Sequence, residues 1–410
     1  MVGNPFGPLV RHRNFRLFWT GQTLSLIGTW MQTMAEGWLA LALTNNAFLV
    51  GLVASAASLP VLLLSFVAGV YVDRVDRLRI VKAMQALMLV QATTLWLLTL
   101  TRHLTIGWLL GLAFANGMFS AFEIPARQSM IVELVSREEL GSAIALNSSG
   151  FNLARVVGPA IGAAVIATLG IAWCFAVNAA SYLAVLVGLF RIQLPARERV
   201  TTAGSPLAGL REGFEYMWHT HDVRVLMGVV VVFSVFGVPY LTLMPVVARD
   251  LLGLGAGGYG VLLAAVGVGG FAGALFLAAA GARVPRARLL VYSSFAYATL
   301  LLLFSLVRSA PLARVALLFT GFAMILNGAL SNAILQSRVP DVLRGRLMAA
   351  YSFAVVGMAQ VVGSFVGGAV ARAFGADWAI AGGAFIMLGY ATWTVWRHPV
   401  VWRLPVAAGR

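Results

Sequence analysis

The chain is poor in charged residues and in cysteine, and each shortage excludes a class of protein. Only 10% of its 410 residues are charged, whereas 60% are hydrophobic, and no water-soluble domain of this length is expected from such a composition. A single cysteine, Cys174, excludes a disulfide framework and a metal-thiolate centre, and the histidines show no spacing for a metal ion. A phosphate-binding loop of the GxxxxGK[ST] type is also missing. The sequence therefore predicts no metal, no cofactor and no direct use of ATP.

Long apolar runs, separated by short charged breaks, fill the chain instead. The apolar core of a bilayer, about 30 Å thick, needs about 20 apolar residues in helix, and only helices or closed barrels satisfy their backbone groups in lipid. Continuous apolar runs indicate helices. The twelve predicted spans are 17–43, 49–71, 81–101, 105–126, 141–168, 171–190, 225–247, 259–281, 289–307, 312–335, 347–371 and 378–396.

Basic residues are distributed unevenly between the breaks. Most arginines lie at the N-terminus and in every second break after it, which predicts that this side and both termini are cytoplasmic. The net charge of +15 is then explained by topology and by contact with anionic lipid. We expect no binding of nucleic acid.

The longest polar stretch divides the spans into six and six. It predicts an N-terminal six-helix bundle over 1–190, a cytoplasmic linker over 191–224 and a C-terminal six-helix bundle over 225–410. Short matches between the halves indicate a parallel duplication, as in transporters built from repeats. The matching pairs are Gln128 and Gln336, Gly158 and Gly363, and Gly162 and Gly367.

The loop after span two reads GVYVDRVDRLRIV and alternates acidic with basic residues. On charge alone it could be a solvated turn whose arginines set the topology. It also resembles the signature loop of the major facilitator superfamily at Gly69, Asp73, Arg74 and Arg77, with Asp76 in place of the second glycine. FSAFEIPARQSMIVELV in span four and ALNSSGFNLARVVGPAIGAAV in span five resemble its bacterial branch of enterobactin-exporter-like and macrolide-efflux-like proteins.

This resemblance implies an all-α membrane protein of twelve helices, in two six-helix bundles related by a pseudo-two-fold axis. It implies that the loop is a cytoplasmic latch with Asp73 as its pivot. Gly69, which has no side chain, is expected on physical grounds to permit close helix approach. Spans one, four, seven and ten would line a central cavity. In span five, Gly158, Pro159 and Gly162 would form a helix-packing, antiporter-like motif, although ordinary packing of small residues in lipid explains them equally well.

Three ionisable residues lie within the spans, where a charge costs ~2.5–3.5 kcal/mol on insertion scales. Glu36 and Arg155 are expected at similar depth, so we predict an ion pair, either static or involved in coupling or substrate binding. Glu123 and Arg127 have helical pair spacing, and Pro125 between them predicts a break in the helix. A packing role is favoured for this second pair. The amides Gln32, Asn116, Asn147, Asn152 and Asn327 complete the predicted coupling and substrate cavity.

Together these features predict a secondary transporter rather than an enzyme. It would export amphipathic or hydrophobic small molecules, drug-like or siderophore-like, by alternating access and proton antiport. The alternatives are a lipid or lysolipid translocator and a non-transporting membrane scaffold or sensor. We expect a monomer in the bacterial cytoplasmic membrane, with its substrate, protons and membrane lipids as partners.

Overall fold

The computed structural model describes residues 6–192, 215–280, 284–340, 347–348 and 350–399, and it contains no β-strand within them. After a short helix, Gly7–Arg11, twelve long helical segments follow. They are α1 (Arg13–Thr44), α2 (Ala47–Arg74), α3 (Arg77–Leu100), α4 (Ile106–Leu134), α5 (Leu140–Thr168), α6 (Ala172–Phe190), α7 (His221–Leu251), α8 (Ala256–Ala280), α9 (Arg286–Leu306), α10 (Ala310–Arg338), α11 (Ala350–Phe374) and α12 (Ala376–Arg397). The predicted all-α membrane architecture is confirmed.

Eleven of the described helices are apolar and long enough to cross a membrane. The exception, α1, has 32 residues, which is ample length, but Gln22, Gln32 and Glu36 make it less apolar. The first helix of the second half, α7, begins at His221, four residues before the predicted span. Residues 193–214 of the predicted linker lie outside the described residues.

Wide π-helical turns interrupt the regular winding of two helices. In α7 they cover Phe233–Gly237 and Val247–Leu251, and Pro239, which cannot donate a backbone hydrogen bond, follows the first of them. In α11 they cover Phe353–Gly363, before a regular helix over Ser364–Phe374. Such turns are uncommon and often mark functional segments. Hydropathy and residue spacing did not predict them.

The chain groups into two compact units. Unit one comprises Met1–Thr44 and Ala56–Ala203, and unit two comprises Asn45–Ser55 and Gly204–Arg410. The beginning of α2 therefore groups with unit two, whereas the sequence placed the whole of that helix in the first bundle.

Small residues set the helix contacts of unit one. A Cβ atom on Gly158 of α5 would lie 2.8 Å from the Ile27 carbonyl oxygen of α1, and one on Gly162 would lie 2.9 Å from Met34 Cε. Both glycines therefore allow α5 to approach α1 closely, as small residues do in membrane proteins. Pro159 is buried within α5, which continues through it from Leu140 to Thr168.

The matching glycines of unit two have the same role. A Cβ atom on Gly363 of α11 would lie 2.6 Å from the Val235 carbonyl oxygen of α7, and one on Gly367 would lie 3.0 Å from Pro239 Cβ. The pairs α1–α5 and α7–α11 occupy equivalent places in the order of six helices. The sequence match between Gly158 and Gly363 therefore has a structural counterpart.

Each unit contains one further close contact between helices. The closest crossing in the described part of unit two joins α8 and α10, where a Cβ atom on Gly321 would overlap the Val266 carbonyl oxygen. In unit one, Cys174 of α6 is fully buried, and its Sγ lies 3.8 Å from the Gly162 carbonyl oxygen.

Candidate transport site

Glu36 lies inside unit one, in a network of amide side chains. It is only 6% exposed. Its Oε1 accepts a hydrogen bond from Gln32 Nε2 at 2.8 Å, and the same nitrogen donates to Gln91 Oε1 of α3 at 3.2 Å. Gln91 in turn donates from Nε2 to the Leu112 carbonyl oxygen of α4. This network therefore ties the carboxylate of α1 to two neighbouring helices.

A third helix joins the network through Asn178 of α6. Its Nδ2 donates to Gln32 Oε1 at 2.7 Å, and its Oδ1 accepts from Ser181 Oγ at 3.1 Å. Because a Cβ atom on Gly28 would overlap Asn178 Oδ1, this glycine permits the approach of α6 to α1. Each amide is satisfied by another, which is what burial of polar groups in an apolar bundle requires.

The predicted ion pair between Glu36 and Arg155 is wrong for this structure. No such contact occurs among the described residues, and the Glu36 carboxylate is bound by Gln32 instead. Arg155 is half-buried on α5. Similar depth along two helices brought the residues together in the prediction, but depth does not determine which way each side chain faces around its helix axis.

The second predicted pair is present. Arg127 Nε lies 3.0 Å from Glu123 Oε1, and the two side chains are 9% and 5% exposed. Gln85 Nε2 of α3 donates to the same carboxylate oxygen at 3.2 Å. The predicted helix break at Pro125 is wrong, because α4 runs unbroken from Ile106 to Leu134.

The remaining predicted cavity amides do not join either cluster. Asn116 and Asn147 are half-buried on α4 and α5. Asn152 donates to the Ser148 carbonyl oxygen of its own helix. Asn327 is buried in unit two, where its Nδ2 donates to Ser294 Oγ at 2.7 Å. Of the predicted cavity amides, Gln32 is thus the one that bonds Glu36 within the described part of the chain.

Two residues of the loop motif have defined surroundings. Arg77 Nη1 lies 2.6 Å from Glu133 Oε1, so the first turn of α3 is tied to the last turn of α4. Asp76 caps α3, since its side chain accepts from the Arg79 backbone nitrogen at 3.2 Å. An aspartate at this position satisfies a backbone donor that the helix itself cannot.

The other motif residues contribute less to the described contacts. Arg74 is exposed, and the side chain of Asp73 lies outside the described residues. A Cβ atom on Gly69 would meet nothing within 4 Å. The expectation that Gly69 permits close helix approach is therefore wrong for this conformation, because no described neighbour lies near enough to need it.

Sequence reasoning missed Gln91, Gln85 and Asn178. They lie on α3 and α6, whereas the candidates came from spans one, four, five and ten. A signal was available, because an amide inside an apolar span is costly unless a neighbouring helix bonds it. Three such amides in two spans indicate a polar interior between those helices.

Comparison with known proteins identifies the family. A family model described as transmembrane secretion effector, of the major facilitator type, matches residues 3–401. The chain belongs to this family. It is 27% identical to the multidrug efflux pump Tap of Mycolicibacterium fortuitum over 330 residues, which cover 78% of this chain and 80% of that protein. It is 24% identical to the enterobactin exporter EntS of Escherichia coli O1:K1 / APEC over 372 residues, covering 90% and 86%.

A solved structure supports the fold of this secretion effector family member. The chain matches a bacterial homologue of the human lysosomal transporter Spinster, in an inward-facing and occupied conformation, with a TM-score of 0.75. The match covers 98% of this chain and 100% of that one at 13% identity, which establishes similarity of fold alone. The family match makes the protein a multi-pass membrane transporter of the major facilitator type, and the relatives named above are transporters.

Proposed function

We propose that this transporter exports drug-like or siderophore-like amphipathic molecules by alternating access, driven by proton antiport. The names of its relatives support the direction and the substrate class, since one is a multidrug efflux pump and another an enterobactin exporter. The uneven distribution of arginines supports an orientation with both termini in the cytoplasm. The protein would act as a monomer in the bacterial cytoplasmic membrane, with protons as its second substrate.

One observation carries the proton coupling: Glu36 is buried and its described partners are amides. A carboxyl group held by amides can lose or gain a proton without breaking an ion pair. Glu123 differs, because each protonation there would break its buried contact with Arg127, and breaking such a pair is costly. Glu36 is therefore the better candidate for a carboxylate that changes protonation state in each transport cycle.

The test is efflux of ethidium from liposomes that contain the purified protein, with and without a proton gradient. We expect Glu36→Gln to abolish the response to the gradient while the protein still folds, because glutamine keeps the hydrogen bonds but cannot release a proton. Glu139→Gln is the matched control: it makes the same change at the start of α5, where the acid contacts Arg11 and His12, and gradient-driven efflux should persist.

Two results would decide against the proposal. A Glu36→Gln protein that responds to the gradient as the wild type does would remove Glu36 from coupling. A wild-type protein that moves labelled lysolipid across the bilayer but never ethidium would favour a lipid translocator instead.

A further inference from the structure

Tyr182 of α6 lies in unit one, close to the two groups of buried polar residues described above: the Glu36 network and the pair of Glu123 and Arg127. It is 2% exposed and packs in a small apolar cluster with Met88 and Ala92 of α3 and with Phe119 of α4. Its hydroxyl oxygen lies 3.2 Å from Thr29 Oγ1 of α1. Because Thr29 already donates its hydrogen to the Ser25 carbonyl oxygen at 2.9 Å, Tyr182 is the donor to Thr29.

Positions along α3 show how far the Glu36 network lies from the pair of Glu123 and Arg127. Gln91, in the Glu36 cluster, is six residues from Gln85, which bonds Glu123, and six residues of helix span about 9 Å. Tyr182 packs with Met88 of α3, which lies three residues, about one helical turn, from both Gln85 and Gln91. One hydroxyl group and one or two water molecules would bridge such a distance.

Two buried acceptor atoms lie on the helices that pack against this tyrosine, each about one helical turn from a residue of its cluster. Gln85 Oε1 and Asn116 Oδ1 are buried, and neither accepts a hydrogen bond within the described part of the chain. The Gln85 side chain is almost completely enclosed, and its Nε2 is already used by Glu123. Buried acceptors of this kind are usually satisfied by ordered water. They therefore indicate a hydrated polar column that continues from Glu36 past Tyr182 to Gln85.

We propose that Tyr182 and water held by Gln85 Oε1 relay the proton that Glu36 releases, a step that rests on the proposed antiport. The proton leaves the Glu36 carboxyl group for buried water. The Tyr182 hydroxyl group turns its hydrogen away from Thr29, its oxygen accepts a proton from this side, and its own hydrogen passes to the water at Gln85. That water then carries the proton as a hydronium ion next to Gln85 Oε1. One proton has then moved, Glu36 is a carboxylate, and Tyr182 is neutral again. Glu123 and Arg127 act as positioning residues that hold the Gln85 amide.

An apolar cluster closes the column beyond Gln85. It includes Phe18 of α1, Val81 of α3, Met130 of α4 and Leu189 of α6, all buried. The proton therefore waits within the bundle in this conformation, and its release at that end requires these helices to separate. Such a barrier prevents a proton leak when no substrate moves.

The experiment compares two rates in liposomes for wild type, Tyr182→Phe and Gln85→Met. One rate is ethidium efflux driven by a proton gradient, and the other is exchange of ethidium between its two sides without a gradient. Phenylalanine keeps the packing of the ring and removes only the hydroxyl. Tyr259→Phe, the same change at a buried tyrosine of α8, is the matched control.

We expect both relay variants to lose gradient-driven efflux by about 100-fold or more, the typical contribution of a positioned proton-transfer group, with exchange near the wild-type rate. The wild type should be slower in D₂O, and this isotope effect should change in Tyr182→Phe. Equal losses of efflux and exchange would mean that Tyr182 only packs the bundle, and unchanged efflux in both variants would remove the relay. If Glu36→Gln abolishes coupling while Tyr182→Phe does not affect it, the relay alone is wrong. A wild type without any response to the gradient would refute the antiport itself.

Discussion

The buried ion pair of Glu123 and Arg127 allows a quantitative test of what holds α4 in place. The two side chains are 5% and 9% exposed, so water cannot replace a lost partner. Arg127→Met removes the cation but keeps much of the packing, and it leaves the Glu123 carboxylate with Gln85 as a donor. Glu123→Gln is milder, because its amide oxygen can still accept from Arg127.

The expected magnitudes follow from these contacts. Breaking a buried pair by removing one partner costs about 3–5 kcal/mol of unfolding free energy, and we expect Arg127→Met in this range. Glu123→Gln keeps a hydrogen bond to the charged Arg127, which contributes about 1.5–3 kcal/mol, so its loss should be smaller than that of Arg127→Met by about this amount. The double variant should lose less than the sum of the two, with a coupling of about 1–3 kcal/mol.

The assay is unfolding of the purified protein in mixed detergent micelles, for the four members of the cycle. The pair of Arg77 and Glu133, 16% and 21% exposed, serves as a comparison because water screens it more. Its coupling should be smaller, nearer the value of about 1 kcal/mol or less for exposed pairs. Additive losses at Glu123 and Arg127, or a weaker coupling there than at Arg77 and Glu133, would refute the reasoning from burial.

Four further predictions concern helix contacts, capping, the loop motif and pH. Gly321→Ala should destabilise the protein by about 1–3 kcal/mol, because its Cβ would overlap a carbonyl oxygen of α8. Gly328→Ala on the same helix should be neutral or stabilising, because a Cβ there meets nothing within 4 Å. The melting temperatures of the two variants check this. Asp76→Ala should cost about 1 kcal/mol through loss of the α3 cap while Asp76→Asn keeps it, and Asp73→Asn should impair ethidium efflux more than Asp76→Asn at equal expression if Asp73 is the latch pivot. The pKa of His398 is lowered, by desolvation first and then by the charges of a neighbouring histidine and two arginines. Because its folded-state pKa lies below its unfolded value, its contact with the histidine at the start of α7 should be at full strength above about pH 6.5 and should weaken as the pH falls through the folded-state value. His398→Asn should therefore make the melting temperature depend less on pH between neutral and acidic conditions.

The sequence was sufficient for the features that repeat or that depend on spacing along one helix. Apolar runs predicted the helices, because a bilayer requires a fixed length of apolar residues. The spacing of four between Glu123 and Arg127 predicted their contact, since such residues share a helix face. The match of Gly158 with Gly363 indicated a duplication, and the two glycines do lie at equivalent helix contacts in the two units.

Features that depend on rotation about a helix or on its winding were not predictable in this way. Glu36 and Arg155 were matched by depth, but the side chain of Glu36 is bound by Gln32 rather than by Arg155. The π-helical turns over Phe353–Gly363 leave no trace in hydropathy. Asn178 would have been found by asking which buried amide needs a partner, a question about pairs of helices rather than about one.

The burial of Cys174 has a practical consequence for labelling chemistry. It is the one thiol of the 410-residue chain, and it is enclosed between α6 and α5 with no exposed surface. Water-soluble maleimides and thiosulfonates need access to a thiolate, so they should leave the folded wild-type protein unmodified. A cysteine introduced at an exposed position would then carry a probe alone, without prior removal of the native thiol. The natural sequence can thus serve directly as the background for spectroscopic distance measurements during transport.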